Sequence, residues 1–133
     1  MCIFCKIVKG EIPCNKIYES PTSIAFLDIN PVSKGHCLVL PKKHYDNYLQ
    51  IPLEEINNYQ NDIHIVANKI DNILKPNGMN ILSNIGERAG QTVMHTHFHI
   101  IPRYDDNDKL IIKFDKNNDC NFSEVLELLN NSK

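Results

Sequence analysis

Tryptophan is absent from this chain of 133 residues, and aromatic residues make up only 8% of it. Lysine and arginine number 14 against 16 aspartates and glutamates, so the formal net charge is -2 and no basic run stands out. A protein that follows a nucleic-acid backbone normally presents a basic face, often with aromatic residues between the basic ones. Nucleic acid is therefore not an expected partner.

Long apolar runs are also missing. No stretch approaches the roughly 18 residues that a membrane-spanning helix needs, and residues 1–6 lack the length and order of a secretory signal. We expect no membrane partner and a cytoplasmic location, where the five cysteines stay reduced or bind metal. No internal repeat and no linker rich in proline, glycine or serine divides the chain, so residues 1–133 are expected to form a single domain.

Hydrophobic periodicity predicts an α+β domain with an antiparallel sheet, one long helix and one short helix. The long helix is predicted over residues 52–74, with Pro52 in its first turn. The short helix is predicted over residues 124–129, with Ser123 as its cap. Proline cannot donate to a sheet ladder, so Pro102 is expected to end the last strand. Strands are predicted near residues 16–19, 23–27, 36–40, 80–85 and 95–102.

The most informative stretch contains three histidines, His95, His97 and His99, at alternate positions. In a strand these imidazoles would share one face, because side chains alternate between the two faces. One metal ion cannot collect all three, since the outer pair would lie roughly 13 Å apart. Three alternatives remain: two of them share an ion with a ligand from elsewhere, the row follows an anionic ligand such as a polyphosphate with one imidazole as nucleophile, or the face is merely solvated.

Two thiols near the start of the chain form a second motif. Cys2 and Cys5 have the C-x-x-C spacing that is common among metal ligands. A redox dithiol would normally lie beside a βαβ unit, which the pattern does not show. The alternative is that both are small buried residues, because the residues around them are apolar.

These blocks together resemble the histidine triad (HIT) superfamily. The triad has its H-x-H-x-H form, the segment G-Q-T-V at residues 90–93 resembles its phosphate-contacting loop, and residues 26–31 and 35–44 resemble its upstream nucleotide-binding half. The resemblance extends over about residues 2–103 and leaves residues 104–133 as a C-terminal extension. It implies the HIT fold, with a five-stranded sheet shared across a homodimer.

The resemblance also implies roles for individual residues. His97 would be the nucleophile that forms a covalent nucleotidyl-histidine intermediate, His99 and His36 the imidazole donors, and Thr92 the group that passes a proton to the leaving group. Asp28 would accept the ribose hydroxyls, although an Asp before Asn-Pro is also good turn chemistry. The implied nucleotide-binding residues are Phe26, Asp28, Ile29, Asn84, Gly90, Gln91, Thr92, His97 and His99.

For Phe26 and Ile29 core packing remains the alternative to a sandwich around the base. The resemblance completes the metal motif as well, because HIT proteins with an N-terminal C-x-x-C bind zinc through four ligands. Those ligands would be Cys2, Cys5, His44 and His95, in a closed structural Zn²⁺ site. No organic cofactor and no magnesium site are expected.

Two branches of the superfamily compete for this chain. Asp28, Asn84 and residues 41–44 resemble the HINT branch, which cleaves nucleoside phosphoramidates and acyl-nucleotides. Residues 90–93 and 101–103 resemble the hydrolases of diadenosine polyphosphates (Ap4A and Ap3A). The chain lacks the tryptophan–proline ending of HINT proteins. The expected function is hydrolysis at the α-phosphate of AMP- or GMP-type purine nucleotides. The alternatives are a diadenosine polyphosphate hydrolase, a non-catalytic purine-nucleotide sensor or scaffold, and a zinc hydrolase that uses triad histidines.

Overall fold

One five-stranded antiparallel sheet forms the centre of the molecule, in the spatial order β1-β2-β3-β5-β4. The computed structural model describes residues 2–131, and within them three α-helices accompany the sheet. Met1, Ser132 and Lys133, at the ends of the expected domain, lie outside the described residues. The strands are β1 (Lys16–Glu19), β2 (Ser23–Leu27), β3 (Cys37–Pro41), β4 (Gly78–Leu82) and β5 (Phe98–Arg103). The helices are α1 (Ile3–Val8), α2 (Leu53–Leu74) and α3 (Phe122–Asn131).

The long helix α2 covers one face of the sheet. Its buried positions recur every three or four residues, so one apolar stripe faces the core. Tyr59 adds a polar anchor, because its hydroxyl donates to the carbonyl of Val39 at 2.7 Å. The main core cluster unites this stripe with the inner faces of β2, β3 and β5: Ala25, Cys37, Val39, Ile51, Tyr59, Ile63, Val66, Ala67, Ile70 and Ile100.

The structure confirms the predicted α+β class and places β1, β2 and α2 within a residue of their expected bounds. The expectation that the last strand begins at the first triad histidine is wrong, because β5 begins at Phe98. Before that point the backbone bonds elsewhere: the N–H and the hydroxyl of Thr96 both donate to the carbonyl of Tyr45, at 2.7 and 2.9 Å. The expectation that Pro102 ends the strand is also wrong. Pairing between β3 and β5 stops at Ile100, so Pro102 removes no ladder bond on that side.

The predicted strand over 80–85 lies earlier, at Gly78–Leu82. The helix α3 starts before its predicted range and is capped by Asn121, whose side chain accepts from the N–H of Glu124 at 3.1 Å. Ser123 is therefore inside the helix rather than its cap. The sequence analysis missed α1 entirely, since six residues are too short to show a helical period.

The chain after β5 first forms hydrogen bonds with the loop between β2 and β3. The Tyr104 hydroxyl donates to the carbonyl of Lys34, and the Lys109 N–H donates to that of Val32. Residues 111–131 are then exposed throughout, including the apolar side chains of α3. Among residues 2–131, no helix combines the length and apolar character that crossing a bilayer requires.

Candidate functional site

A cavity of about 480 Å³ opens between α1, β2 and the triad segment. Its wall is mainly apolar, and its polar groups include Asp28, Thr92, His97 and His99. A mostly apolar cavity with a few convergent polar groups is typical of a small-ligand site. The remaining lining residues are Ile3, Phe4, Ile7, Ile12, Pro13, Cys14, Asn15, Phe26, Leu27, Ile29, Asn30, Leu38 and Val93.

His97 lies in this wall with one ring nitrogen already fixed. Its Nδ1 is 2.8 Å from the carbonyl oxygen of His95, which can only accept, so Nδ1 carries the proton. Burial lowers the pKa of His97, which keeps the ring neutral at pH 7. The Nε2 atom therefore keeps a free lone pair, as a nucleophile requires.

His99 and His36 form a hydrogen-bonded pair next to His97. The N–H of Val32 donates to Nδ1 of His36 at 3.2 Å, so the proton of the neutral His36 ring is on Nε2. That Nε2–H donates to Nδ1 of His99 at 3.0 Å. The His99 proton is consequently on its own Nε2, and His99 enters the cavity wall as a donor. His36 is only 4% exposed and is not among the lining residues, so it lies behind His99.

Asp28 combines a turn with an available carboxylate oxygen. Its Oδ1 accepts from the N–H of Asn30 at 2.9 Å, which closes a local turn. Its Oδ2 lies 3.5 Å from Nε2 of His36, and Asp28 is among the residues that line the cavity. The turn role of Asp28 is observed, and its contact with ribose stays a prediction.

The side chain of Gln91 holds the loop before the triad in a closed conformation through three hydrogen bonds. The Gln91 side chain is 2% exposed, accepts from the N–H of Gly86 and donates to the carbonyls of Asp46 and Val93. Asn84 donates to the carbonyl of Gly90 at 3.4 Å. Neither amide lines the cavity, and neither does Gly90, whereas Thr92 does. Gly86 and Gly90 have φ values of 85° and 103°, which favour glycine.

The thiols and the first triad histidine meet in a second cluster. Each Sγ of Cys2 and Cys5 lies 3.3–3.5 Å from each Nδ1 of His44 and His95, and the two nitrogens are 3.2 Å apart. A tetrahedral zinc with Zn–S bonds of about 2.3 Å and Zn–N bonds of about 2.0–2.1 Å sets S–N edges of about 3.5 Å and an N–N edge of about 3.3 Å. The geometry fits such an ion.

The outer hydrogen bonds of these histidines support the same conclusion. His95 donates from Nε2 to the carbonyl of Pro41 at 2.9 Å, and His44 donates from Nε2 to Asp46 at 2.9 Å. Both Nδ1 atoms therefore present lone pairs to each other, an arrangement that a cation between them stabilises. Although burial works against it, hydrogen bonds from Cys5 and the nearby His44 hold the pKa of Cys2 below its usual value.

A second group of residues has potential metal-ligand atoms close together, but it is less suited to a metal ion. Its members are Asp28, His36 and His99. The bond from Val32 fixes a proton on Nε2 of His36, the atom that faces the other two side chains. A protonated nitrogen cannot ligate a metal. This tautomer argues against a zinc hydrolase whose metal is bound by His36 and His99.

The contribution of α1 to the cavity was missed by the sequence analysis. Ile3, Phe4 and Ile7 line it, but three apolar residues within six positions are too few to establish a helical period from the sequence. The three triad imidazoles divide between two sites. His95 faces the thiols, while His97 and His99 face the cavity.

Comparison with known proteins extends over nearly the whole chain. The family model described as HIT domain matches residues 9–106. An uncharacterized HIT-like protein from Methanocaldococcus jannaschii is 46% identical over 130 residues, which cover 96% of this chain and 97% of that protein. An adenosine 5′-monophosphoramidase from Schizosaccharomyces pombe is 48% identical over 102 residues, covering 77% and 74%. A HIT family crystal structure from Bacillus subtilis superposes with a TM-score of 0.91 at 40% identity, covering 97% of this chain and 92% of that one.

Proposed function

The chain belongs to the HIT family, and we propose that it hydrolyses purine nucleotides at the α-phosphate, with a phosphoramidate or acyl-nucleotide as substrate. The observation that carries this proposal is the tautomer of His97, whose Nδ1 proton is held by the carbonyl of His95. A residue that only bound phosphate would present an N–H to it, whereas His97 presents a lone pair. The S. pombe relative, named an adenosine 5′-monophosphoramidase, supports the same reaction class.

In the first step, Nε2 of His97 attacks the α-phosphorus. A P–N or P–O bond to the leaving group breaks, and the leaving group departs with the electron pair of that bond. Thr92, whose side chain borders the cavity, relays a proton from water to it. The product is a nucleotidyl-histidine, and the division into two steps replaces one difficult displacement by two easier ones.

In the second step, water attacks the same phosphorus from the side that the leaving group has vacated. The bond between phosphorus and Nε2 breaks, its electron pair returns to His97, and the water proton passes to solvent. The nucleoside monophosphate is released and His97 regains its starting tautomer.

Hydrogen-bond donors that point into the cavity before the substrate binds stabilise the charge on the phosphate. His99 presents its Nε2–H to the cavity because His36 occupies its other nitrogen. Preorganised donors of this kind act on charge that develops in the transition state. We propose that His36 acts through His99, and that the N–H of Thr92, the residue of this loop that lines the cavity, adds a further donor.

Recognition of the nucleoside rests on the other lining residues. The free Oδ2 of Asp28 can accept from a ribose hydroxyl, while Oδ1 holds the turn. Phe26 and Ile29 border the same cavity and offer apolar surface to a base. Asn84, Gly90 and Gln91 serve the nucleotide indirectly in this proposal, by shaping the loop that presents Thr92.

We propose that the second cluster binds one structural zinc ion. Four N and S ligands close the tetrahedral coordination and leave no position for water, so the ion would fix structure rather than take part in chemistry. Within residues 2–131, no disulfide joins any two of the five cysteines, which suits a reducing compartment such as the cytoplasm.

A homodimer completes the proposal. Within residues 2–131, β1 and β4 are the two edge strands of the sheet, and Ile81 on β4 is 48% exposed. A free, apolar edge favours pairing with another strand. A symmetric dimer that joins two β4 edges would share one sheet between protomers.

Substrate competition and intact mass together test the function. We expect adenosine 5′-phosphoramidate to turn over faster than diadenosine tetraphosphate, and a quenched reaction to show protein that carries one AMP. A preference for diadenosine tetraphosphate would assign the chain to the other branch. Tight AMP binding without turnover of either compound would show a nucleotide sensor.

A further inference from the structure

We infer that the metal site and the nucleotide cavity are coupled through α1, so that the protein binds a purine nucleotide more tightly when the metal is bound. This inference rests on the proposed function. It concerns how the two sites affect each other, which neither site shows alone.

The helix α1 belongs to both sites. Cys2 and Cys5 lie at its start and within it, and their thiols face His44 and His95. Ile3, Phe4 and Ile7, from the same six-residue helix, form part of the cavity wall. A displacement of α1 therefore changes both sites together.

Phe4 makes the connection at the level of ring contacts. Its ring packs edge-on against His95 at 6.1 Å between centroids, against His97 at 5.1 Å and against Phe26 at 5.8 Å. One side chain thus touches a metal ligand, the proposed nucleophile and a wall of the nucleotide cavity. Phe4 is a positioning residue in this inference, since its ring orients the surfaces that meet the nucleotide.

The polar attachment of α1 to the rest of the protein is confined to the metal cluster. In the described part of the chain, the hydrogen bonds of residues 2–8 stay within residues 2–11 or join the thiols to His44 and His95. A helix of six residues is not stable by itself in water. Without the ion, α1 is held by the packing of apolar side chains such as Phe4 and Ile7 and by the weaker contacts of its thiols with His44 and His95.

Coupling of this kind is reciprocal. If the bound metal strengthens nucleotide binding by some factor, the bound nucleotide strengthens metal binding by the same factor. The position of α1 in the cavity wall also predicts which part of the nucleotide binds more weakly when the metal is removed. The α1 side chains are apolar and suit the base, whereas His97, His99 and Thr92 serve the phosphate.

The test measures affinity by calorimetry with protein carrying its metal and with the same protein after chelation. For AMP we expect a loss of roughly 5- to 150-fold after chelation, the usual range for coupled sites. Ribose 5-phosphate, which lacks the base, should lose far less affinity.

Phe4→Ala should weaken AMP binding to the metal-loaded protein and reduce the effect of chelation. Cys120→Ala, at an exposed cysteine outside both sites, should leave the AMP affinity and the effect of chelation unchanged.

Each other outcome has a defined meaning. Equal AMP affinity in both forms would overturn the coupling. Equal losses for AMP and ribose 5-phosphate would overturn the route through the base side of α1, because the metal would then act on the phosphate side, through His95 and His97, or on the whole fold. Loaded protein that binds no AMP would refute the proposed function instead. The double variant Cys2→Ser with Cys5→Ser repeats the comparison without chelator, and circular dichroism verifies that it folds.

Discussion

Nε2 of His36 lies 3.0 Å from Nδ1 of His99, and the direction of this bond is set by the main chain. The N–H of Val32 occupies the other nitrogen of His36, so His36 must donate and His99 must accept. A backbone amide at one end of the chain of bonds thereby determines which proton His99 offers to the cavity. Burial, together with the adjacent His97 and His36, lowers the pKa of His99 to about 4.

This low pKa predicts how stability depends on pH. The unfolded chain binds the His99 proton near pH 6.5, whereas the folded protein resists it down to about pH 4. The unfolded state therefore binds more protons between these values, and the free energy of unfolding must fall as pH falls from about 6.5 to about 4. Urea unfolding of His99→Gln should show a shallower decline than the parent protein. His64→Gln, which alters an exposed histidine of α2, should keep the parent slope, and an identical slope in both variants would contradict the assignment.

Replacing His97 with alanine removes the Nε2 lone pair that the bond from Nδ1 to the His95 carbonyl leaves free. We expect His97→Ala to keep the fold and to bind AMP, while hydrolysis of adenosine 5′-phosphoramidate falls by about a thousandfold or more. The AMP adduct should also disappear from the intact mass. His64→Ala serves as the matched control, and near-normal turnover by His97→Ala would refute the mechanism.

Asp28→Ala tests the ribose contact separately from the turn. A hydrogen bond to a charged group is worth about 1.5–3 kcal/mol, so the affinity for AMP should fall by about 10- to 150-fold. The affinity for 2′-deoxy-AMP, which already lacks one hydroxyl, should fall much less. Asp28→Asn keeps an oxygen that can close the turn with Asn30 and should retain the fold. Equal losses of affinity for both nucleotides would show that Asp28 stabilises the turn and does not contact the ribose.

Elemental analysis tests the metal site. Protein never exposed to chelator should contain about one zinc per chain, in accordance with tetrahedral N and S coordination. Cys5→Ser should lower that content sharply, because one ligand is lost. Cys120→Ser, at an exposed cysteine outside the cluster, should not change it. Parent protein with far less than one zinc would count against the site.

Light scattering at micromolar concentration tests the oligomeric state. We expect a symmetric dimer that involves α2 and the edge strand β4. Ile81→Lys places a charge on the free edge and should give monomers, whereas Leu49→Lys, at a residue that is 75% exposed, should remain dimeric. A monomeric parent protein would refute the shared sheet.

Local patterns accounted for much of the framework. The 3.6-residue period of α2 and the short apolar segments of β1 and β2 predicted these elements within a residue of their observed bounds. The period of α2 arises from burying one face of the helix, which a sequence displays directly. Six residues of α1 display no such period, and residues 95–97 have a strand-like alternation without forming part of β5.

The four metal-site residues came from the resemblance, and the structure brought their ligand atoms together. The resemblance identified His97 and His99 as acting on phosphate, but not which nitrogen each would use. That choice depends on the carbonyl of His95 for one ring and on the N–H of Val32, through His36, for the other. The sequence by itself determined which chemical groups are available and which strands and helices carry them. Only the tertiary structure decided their protonation and direction, because a neutral imidazole takes its tautomer from the hydrogen-bond partners that folding places beside it.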